Sequence, residues 1–198
     1  MQILVRKMLL SDINEVASIH LMAFKGFFLS QLGFEFLKIF YTAFLYSDNN
    51  ISLVAVDEKN ILGVVVGSLK PGMLYKKMFL RNPILLLKIL SKKIIKNPFV
   101  ILKIFRRVET ISKFTKFDCE LMSICVKPSD ASKGIGKMLE CGFSIEAKKK
   151  GCKTIMLTTD KVDNEKANNF YKGLGYRLVE EYITKEGRLM NRYVKKIL

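Results

Sequence analysis

The chain has 198 residues, 49% of them hydrophobic and 26% charged, and carries a formal net charge of +16 from 34 Lys and Arg against 18 Asp and Glu. That size and mix suit one globular domain with a real core and argue against a disordered chain or a repeat array. No apolar run free of charges reaches the roughly 18 residues needed to cross a bilayer, and the basic excess predicts attraction to an anion: a nucleotide, nucleic acid or a membrane face.

Residues 2–7 read as a first strand, and Arg6 and Lys7 interrupt the apolar N-terminus before a signal-peptide core of about 7 to 15 residues can form. An uncleaved cytoplasmic protein is expected. Ser11 and Asp12 then offer helix-capping oxygens to a helix whose Ile13, Val16, Ala17, Ile19 and Leu21 recur at helical spacing. His20, the one histidine, falls within this pattern and reads as a packing or capping residue. An aromatic turn, Phe24-Lys25-Gly26-Phe27-Phe28, leads into a second helix over 29–45. The β-branched runs 51–56 and 61–69, separated by Asp57-Glu58-Lys59-Asn60, form a hairpin apolar enough for a covered sheet.

A basic stretch follows: residues 70–116 hold thirteen Lys or Arg and one acid, Glu109, so they carry +12 and leave +4 for the rest. Asn82-Pro83 and Asn97-Pro98 each place a capping residue before a proline suited to the first helical position, which predicts two short helices. In the first, Lys88, Lys92 and Lys96 line one face and Leu85, Leu86, Ile89, Leu90 and Ile94 the other; in the second, Lys103 and Arg107 oppose Ile101, Ile104 and Val108. From 117 the order is strand (117–126), glycine turn, helix (137–150), strand (153–159), helix (164–174), strand (176–182), a turn at Gly187 and a last strand. Alternating strands and helices require a partly parallel sheet. No linker-like segment divides the chain, so one domain over 1–198 is expected.

Cys119, Cys125, Cys141 and Cys152 form no CxxC pair, and one histidine cannot complete a zinc site, so no metal is expected. The cysteines read as reduced thiols acting as small core hydrophobes. The informative segment is CELMSICV followed by KPSDASKGIGKML. Gly134 and Gly136 lead into a helix, where the backbone can bend close to a ligand, and the free N–H groups and dipole of the first turn suit a pyrophosphate. A tight strand-to-helix turn would need the same glycines. A dinucleotide fingerprint would want a third glycine where Leu139 stands, and no Gly-Lys-Ser/Thr is in frame for a P-loop.

Paired with Asn164-x-x-Ala167-x-x-Phe170-Tyr171-x-x-x-Gly175-Tyr176, this turn resembles the GNAT superfamily of N-acetyltransferases over 118–176. The resemblance implies a GNAT fold of α/β class: one mixed, mostly antiparallel sheet of about seven strands with a central parallel pair, flanked by helices, the basic helical insertion lying between strands 3 and 4. It also implies acetyl-CoA as co-substrate. By the same resemblance the backbone of Ile124, Cys125 and Val126 pairs with the pantetheine arm, and the amides of Ser132, Lys133, Gly134, Ile135, Gly136 and Lys137 hold the pyrophosphate. Ala131 stands where the family loop usually has Gln or Arg, which removes a side-chain contact. Lys133 and Lys137 either face the phosphates or are solvated helix residues. Asn164 is expected at the pantetheine arm, with a plain helix cap as its structural alternative; Ala167 allows close packing and Phe170 faces the core.

Acetyl transfer to an amine needs a group that accepts a proton from an ammonium of pKa about 10, and another that protonates the leaving thiolate. Tyr171 resembles the family's general acid; its alternative is an amphipathic core tyrosine. Glu120, six residues before Val126, has the spacing of the glutamate base in the histone-acetylating branch, or else is a strand-edge carboxylate. Asp160, closing the next strand, is a second candidate for the acceptor amine. The acceptor side is less legible: Phe27 and Phe28, in an aromatic segment 24–36, are candidate cleft walls or core residues. A small-molecule amine, an amino sugar free or nucleotide-linked, and a protein N-terminus all fit as acceptor. The insertion 70–116 reads as a helical cap, as a contact with an anionic membrane surface at the inner face, or as a homodimer contact; nucleic acid is disfavoured because no aromatic residues interleave its basic face. The rival to an enzyme is a non-catalytic GNAT-fold module that senses CoA or binds an anionic surface.

Overall fold

The computed structural model describes residues 3–58, 60–94 and 117–197. In chain order they form β1 (Leu4–Lys7), α1 (Ile13–Ala23), α2 (Phe28–Leu32), α3 (Phe34–Ala43), β2 (Asn50–Val56), β3 (Ile61–Ser68), α4 (Pro71–Arg81), α5 (Pro83–Ile94), β4 (Cys119–Val126), α6 (Ile135–Lys149), β5 (Thr154–Asp160), α7 (Glu165–Gly173), β6 (Arg177–Ile183) and β7 (Leu189–Lys196). The strands make one seven-stranded sheet in the order β1-β2-β3-β4-β5-β7-β6. Every neighbouring pair is antiparallel except β4 and β5, which run parallel. This is the mixed sheet with a central parallel pair that the family resemblance implies, and α4 and α5 lie between strands 3 and 4 as expected.

Because β3 is buried on both faces along all eight residues, its near-continuous apolar run is what a central, covered strand requires. On one face α1, α3, α4 and α5 supply Val16, Ile19, Leu37, Phe40, Met78 and Leu86 to a core over β2 and β3. On the other face α6 and α7 supply Leu139, Phe143, Ala147 and Tyr171. Gly67 on β3 makes the second packing feasible: a Cβ there would lie 2.3 Å from the Glu120 carbonyl oxygen and 2.4 Å from the Phe143 ring.

A β-bulge sets which way β4 presents its side chains. Val66 pairs with Ser123 and Gly67 with Leu121, so Met122 is the extra residue. Before the bulge Cys119 and Leu121 face α6; after it Ile124 and Val126 do, while Met122 and Cys125 turn to the α1 and α3 side. Glu120, between Cys119 and Leu121, therefore projects to the α1 and α3 side of the sheet.

Four local expectations change. The single helix expected over 29–45 is two helices, because Gly33 adopts φ +93° and breaks the run. Asp12 sits at the N-cap position of α1 without capping it; its carboxylate instead accepts from the Leu9 N–H at 2.7 Å and pairs with Arg6 at 2.6 Å. Helix α4, which the sequence reading leaves unassigned, is anchored by Leu74, Tyr75 and Met78. Helix α5 begins at Pro83 as expected, but among its residues whose burial is described Leu86 alone is fully buried, and Leu85 is exposed together with Ile84 and Leu87. The helix expected after Asn97-Pro98 lies outside the described residues.

Gly67→Ala should destabilise the fold by about 1–3 kcal/mol through overpacking. Gly173→Ala, where an added Cβ meets nothing within 4 Å, should be neutral or stabilising by about 0.5 kcal/mol. Urea unfolding followed by circular dichroism distinguishes the two.

Candidate active site

Strands β4 and β5 stay paired for two residue pairs only, Cys119 with Ile155 and Glu120 with Met156. Throughout its length β5 is paired on its other edge with β7. The two strands therefore part, and the β5-facing edge of β4 over residues 121–126 has no strand partner among the described residues. Lys127 donates its N–H to the Leu62 carbonyl on β3 at 2.8 Å. The alternation of an antiparallel ladder then turns the N–H and C=O of Cys125 toward β3 and those of Ile124 and Val126 into the gap.

The far end of the gap is a turn of unusual backbone shape. Ser132 has φ +66° and Gly134 φ +79°, ψ −1°, both left-handed, and Gly134 is the N-cap of α6. No side chain caps that helix, so the first-turn amides of Ile135, Gly136 and Lys137 are left for a ligand or water. The Ile135 side chain is buried in the core and fixes the turn from below. A Cβ on Gly136 would sit 3.3 Å from the Phe170 ring, so its glycine brings α6 down onto α7. Lys133 is tied to Asp130 at 2.7 Å, whereas the Lys137 side chain is exposed at the mouth of the turn.

The opposite wall is α7. Asn164 occupies its N-cap but donates back to β5, to Thr159 Oγ1 at 2.6 Å and the Asp160 carbonyl at 3.2 Å, rather than capping the helix. Ala167 and Phe170 pack against the α6-side core, and Tyr171 is buried between the rings of Phe170, Tyr176 and Tyr193. Its hydroxyl has no hydrogen-bond partner among the described residues, and burial, reinforced by the Glu140 charge, pushes its pKa well up. A phenol in this setting stays protonated.

Behind Tyr171 lies a polar hub. Glu140 on α6 is buried and accepts from Ser144 at 2.7 Å, Tyr176 at 3.0 Å and the Lys195 ammonium at 3.0 Å. Asn168 on α7 donates to the Asp160 and Asn164 carbonyls at 3.0 and 2.8 Å and accepts from Asn191 at 2.7 Å and Tyr193 at 2.9 Å. Neither residue stands out in the motif. The signal for Glu140 was there, because it shares a helical stripe with Phe143 and Ala147, where a carboxylate demands partners.

On the other face of the sheet, Glu120 is half-buried and within electrostatic reach of Arg192 on β7. Burial lowers the Arg192 pKa and the Glu120 charge works against that shift. Arg192 also pairs with Glu180 and lies over the Tyr182 ring. Glu120 and Tyr171 thus stand on opposite faces, on either side of the parting strands. Asp160 is engaged bidentately by Arg188, at 2.6 to 3.0 Å, at the same end of β5 as Asn164. Phe28 packs on the core, and Phe27 is exposed and stacked edge-on against Phe24.

His20 is buried, with Nδ1 2.7 Å from the Tyr41 hydroxyl, which lies 3.4 Å from Ser123 Oγ. This chain ties α1 and α3 to β4 immediately after its bulge. Burial pushes the His20 pKa down to about 4. The Cys125 thiol beside Tyr41 is pushed up to about 12 by burial, so it stays protonated. Cys119 and Cys152 are buried free thiols as expected; Cys141 differs in being exposed, on the outer side of α6. Among the described residues no group of three or more His, Cys, Asp or Glu could hold a metal ion.

A sheet parted between β4 and β5, with a left-handed turn and an uncapped helix at the end of the gap, is the arrangement that the resemblance to the GNAT superfamily implies. The chain matches the Acetyltransferase (GNAT) family over residues 14–176 and belongs to that family. Its fold is similar to that of a GNAT-family acetyltransferase from Desulfovibrio desulfuricans, with a TM-score of 0.68, 12% identity and 100% of both chains covered. The ribosomal-protein-S18-alanine N-acetyltransferase of Escherichia coli is similar over 99% of this chain and 94% of that one, with a TM-score of 0.62 and 14% identity. An acetyltransferase from Salmonella typhimurium, solved with its cofactor acetyl-CoA, gives a TM-score of 0.63 at 12% identity, covering 99% of this chain and 94% of that one. No curated protein matches the chain in sequence.

Two predictions follow from the geometry. His20 is neutral in the fold, whereas its ordinary pKa of 6.5 lets it charge in the unfolded chain. The unfolded state therefore binds the extra proton between pH 6.5 and about 4, and stability falls over that window as pH is lowered, by about 3 kcal/mol in total. His20→Gln should flatten this part of the stability profile in urea titrations. Gly134→Val forces a β-branched residue into φ +79°, and a strain of about 1–3 kcal/mol should weaken acetyl-CoA binding by roughly fivefold or more in calorimetry.

Proposed function

We propose that this protein transfers the acetyl group of acetyl-CoA to a primary amine by direct attack within a ternary complex. The observation that carries the reading is the open edge of β4. Ile124 and Val126 aim their N–H and C=O groups into a gap that no described strand fills. An extended amide-bearing pantetheine arm completes such an edge as an added strand, which is sequence-tolerant because it uses backbone groups. The turn at Ser132 and Gly134 and the free amides of α6 meet the pyrophosphate, and Lys137 adds a positive charge there. Asn164, held at the end of β5, lies on the wall beside the arm.

The thioester supplies an activated acetyl carbonyl, and the protein's own groups manage two protons around it. Tyr171 stays neutral because it is buried, and its hydroxyl, free of any internal acceptor, donates its proton to the departing thiolate. The incoming amine arrives mostly as an ammonium of pKa about 10 and must lose a proton before it can attack. Glu120, on the opposite face, is the acceptor for that proton, directly or through water, and Arg192 stabilises its ionised form. Asp160 is held by Arg188, so its place is in shaping the acceptor side with β6 and β7 rather than in accepting the proton. The acceptor is a small-molecule amine or a protein N-terminus. The Escherichia coli relative, named for an alanine of a ribosomal protein, supports keeping the second in view.

Tyr171→Phe should lower kcat by about 10²- to 10⁴-fold with little change in KM for acetyl-CoA, and Glu120→Gln should lower kcat in a way that higher pH partly restores. Release of free thiol from acetyl-CoA in the presence of an amine panel measures both. Full activity in both variants would remove the assigned roles, and acetyl-CoA binding without turnover on any amine or N-terminal peptide would favour a non-catalytic CoA-binding module.

A further inference from the structure

The α4–α5 hairpin carries apolar surface that the other described residues leave uncovered. Leu74, Tyr75, Met78 and Leu86 face inward and anchor it. Outward, Leu80 is 69% exposed, Ile84 82% and Leu87 67%, with Met73 and Leu85 also exposed. Leu80 and Ile84 flank the corner at Asn82 and Pro83, and Leu87 lies one helical turn beyond Ile84. Aliphatic residues this exposed on consecutive turns are a patch that needs a partner.

Cations surround the patch. Lys76 stands one turn before Leu80 on α4, and Lys88 one turn after Ile84 on α5, both exposed. Arg81, at the corner, lies over the exposed ring of Tyr46 at 4.1 Å. The sequence has no acidic residue from Lys59 to Val108, so nothing along this stretch offsets them. The mixture selects among occupants. A second copy would bring one strongly basic segment against another, so like charge opposes it. A nucleic acid would satisfy the lysines and leave Ile84 and Leu87 against phosphates. An anionic bilayer offers phosphate headgroups for the cations and, just beneath them, an acyl boundary for the aliphatic side chains.

We propose that the α4–α5 hairpin docks the protein on an anionic lipid surface, with Leu80, Ile84 and Leu87 entering the headgroup boundary and Lys76, Arg81 and Lys88 at the lipid phosphates. The surface lies on elements separate from the parting of β4 and β5, so it stands independently of acetyl transfer.

Flotation of the full chain with phosphatidylglycerol vesicles and with phosphatidylcholine vesicles tests it. The protein should float with the first and not the second. The double variant Ile84→Ser and Leu87→Ser should lose at least about tenfold in partitioning, and Lys76→Gln and Lys88→Gln about fivefold each. Ile183→Ser, exposed on β6, should change nothing. Circular dichroism of every variant reports that it is folded. No flotation on phosphatidylglycerol would overturn the proposal. So would flotation that salt abolishes but the double serine variant leaves intact, since charge alone would then account for it. A dimer in solution that the double serine variant converts to a monomer would instead assign the patch to self-association.

Discussion

Everything at the candidate site depends on where β5 leaves β4. Two residue pairs hold them together at Cys119 and Glu120, and then β5 diverges with β7 paired along its other side. A parallel pair that parts inside a sheet leaves a row of backbone donors and acceptors in the middle of the molecule, where their desolvation is costly unless something hydrogen-bonds to them. The parting thus leaves a place that water or an extended, amide-rich ligand can fill. The bulge at Met122 adds to it, because it places Glu120 on one face and turns Ile124 and Val126 toward the other.

Two buried polar networks brace the walls of the gap. On the α6 side, Glu140 gathers Ser144, Tyr176 and Lys195, and Asn168 gathers Asn191, Tyr193 and the carbonyls that end β5 and begin α7. These bonds link α6, α7 and β7 into one unit behind Tyr171. On the α1 side, His20 and Tyr41 reach Ser123 just past the bulge. Each network is satisfied largely by groups from different elements, so its value lies in fixing their relative positions as much as in net stability. The consequence for function is a rigid gap whose two faces present different chemistry: a neutral buried phenol on one, a carboxylate beside a guanidinium on the other.

Much of this was legible in the sequence because it rests on local rules. The alternation of strands and helices after residue 117, the glycine turn, and the Asn164 to Tyr176 segment placed β4, β5, the turn and α7 to within a few residues, and the family resemblance implied the central parallel pair. Pro83 marked the start of α5. What was not legible depends on tertiary contacts. Gly33 reads as one tolerated glycine in a helical run until its φ of +93° is seen. Helix α4 shows only three inward residues, too few for a periodic signal. The bulge at Met122 has no signature in CELMSICV, yet it decides which face each side chain meets. Asp160 looked free at the end of its strand because Arg188, its partner, is 28 residues away across the β6–β7 hairpin. The lysine repeat of α5 suggested one clean polar face, whereas the structure leaves Ile84 and Leu87 outside.

The central claim is that residues 121–126 form an unfilled strand edge that acetyl-CoA completes. Hydrogen–deuterium exchange with and without acetyl-CoA measures it at the atoms concerned. The account predicts that adding acetyl-CoA slows exchange at the amides of Ile124 and Val126 and across 132–137, with little change at Cys125, whose N–H is already bonded to β3. Unchanged exchange at Ile124 and Val126 while acetyl-CoA is bound elsewhere would contradict it.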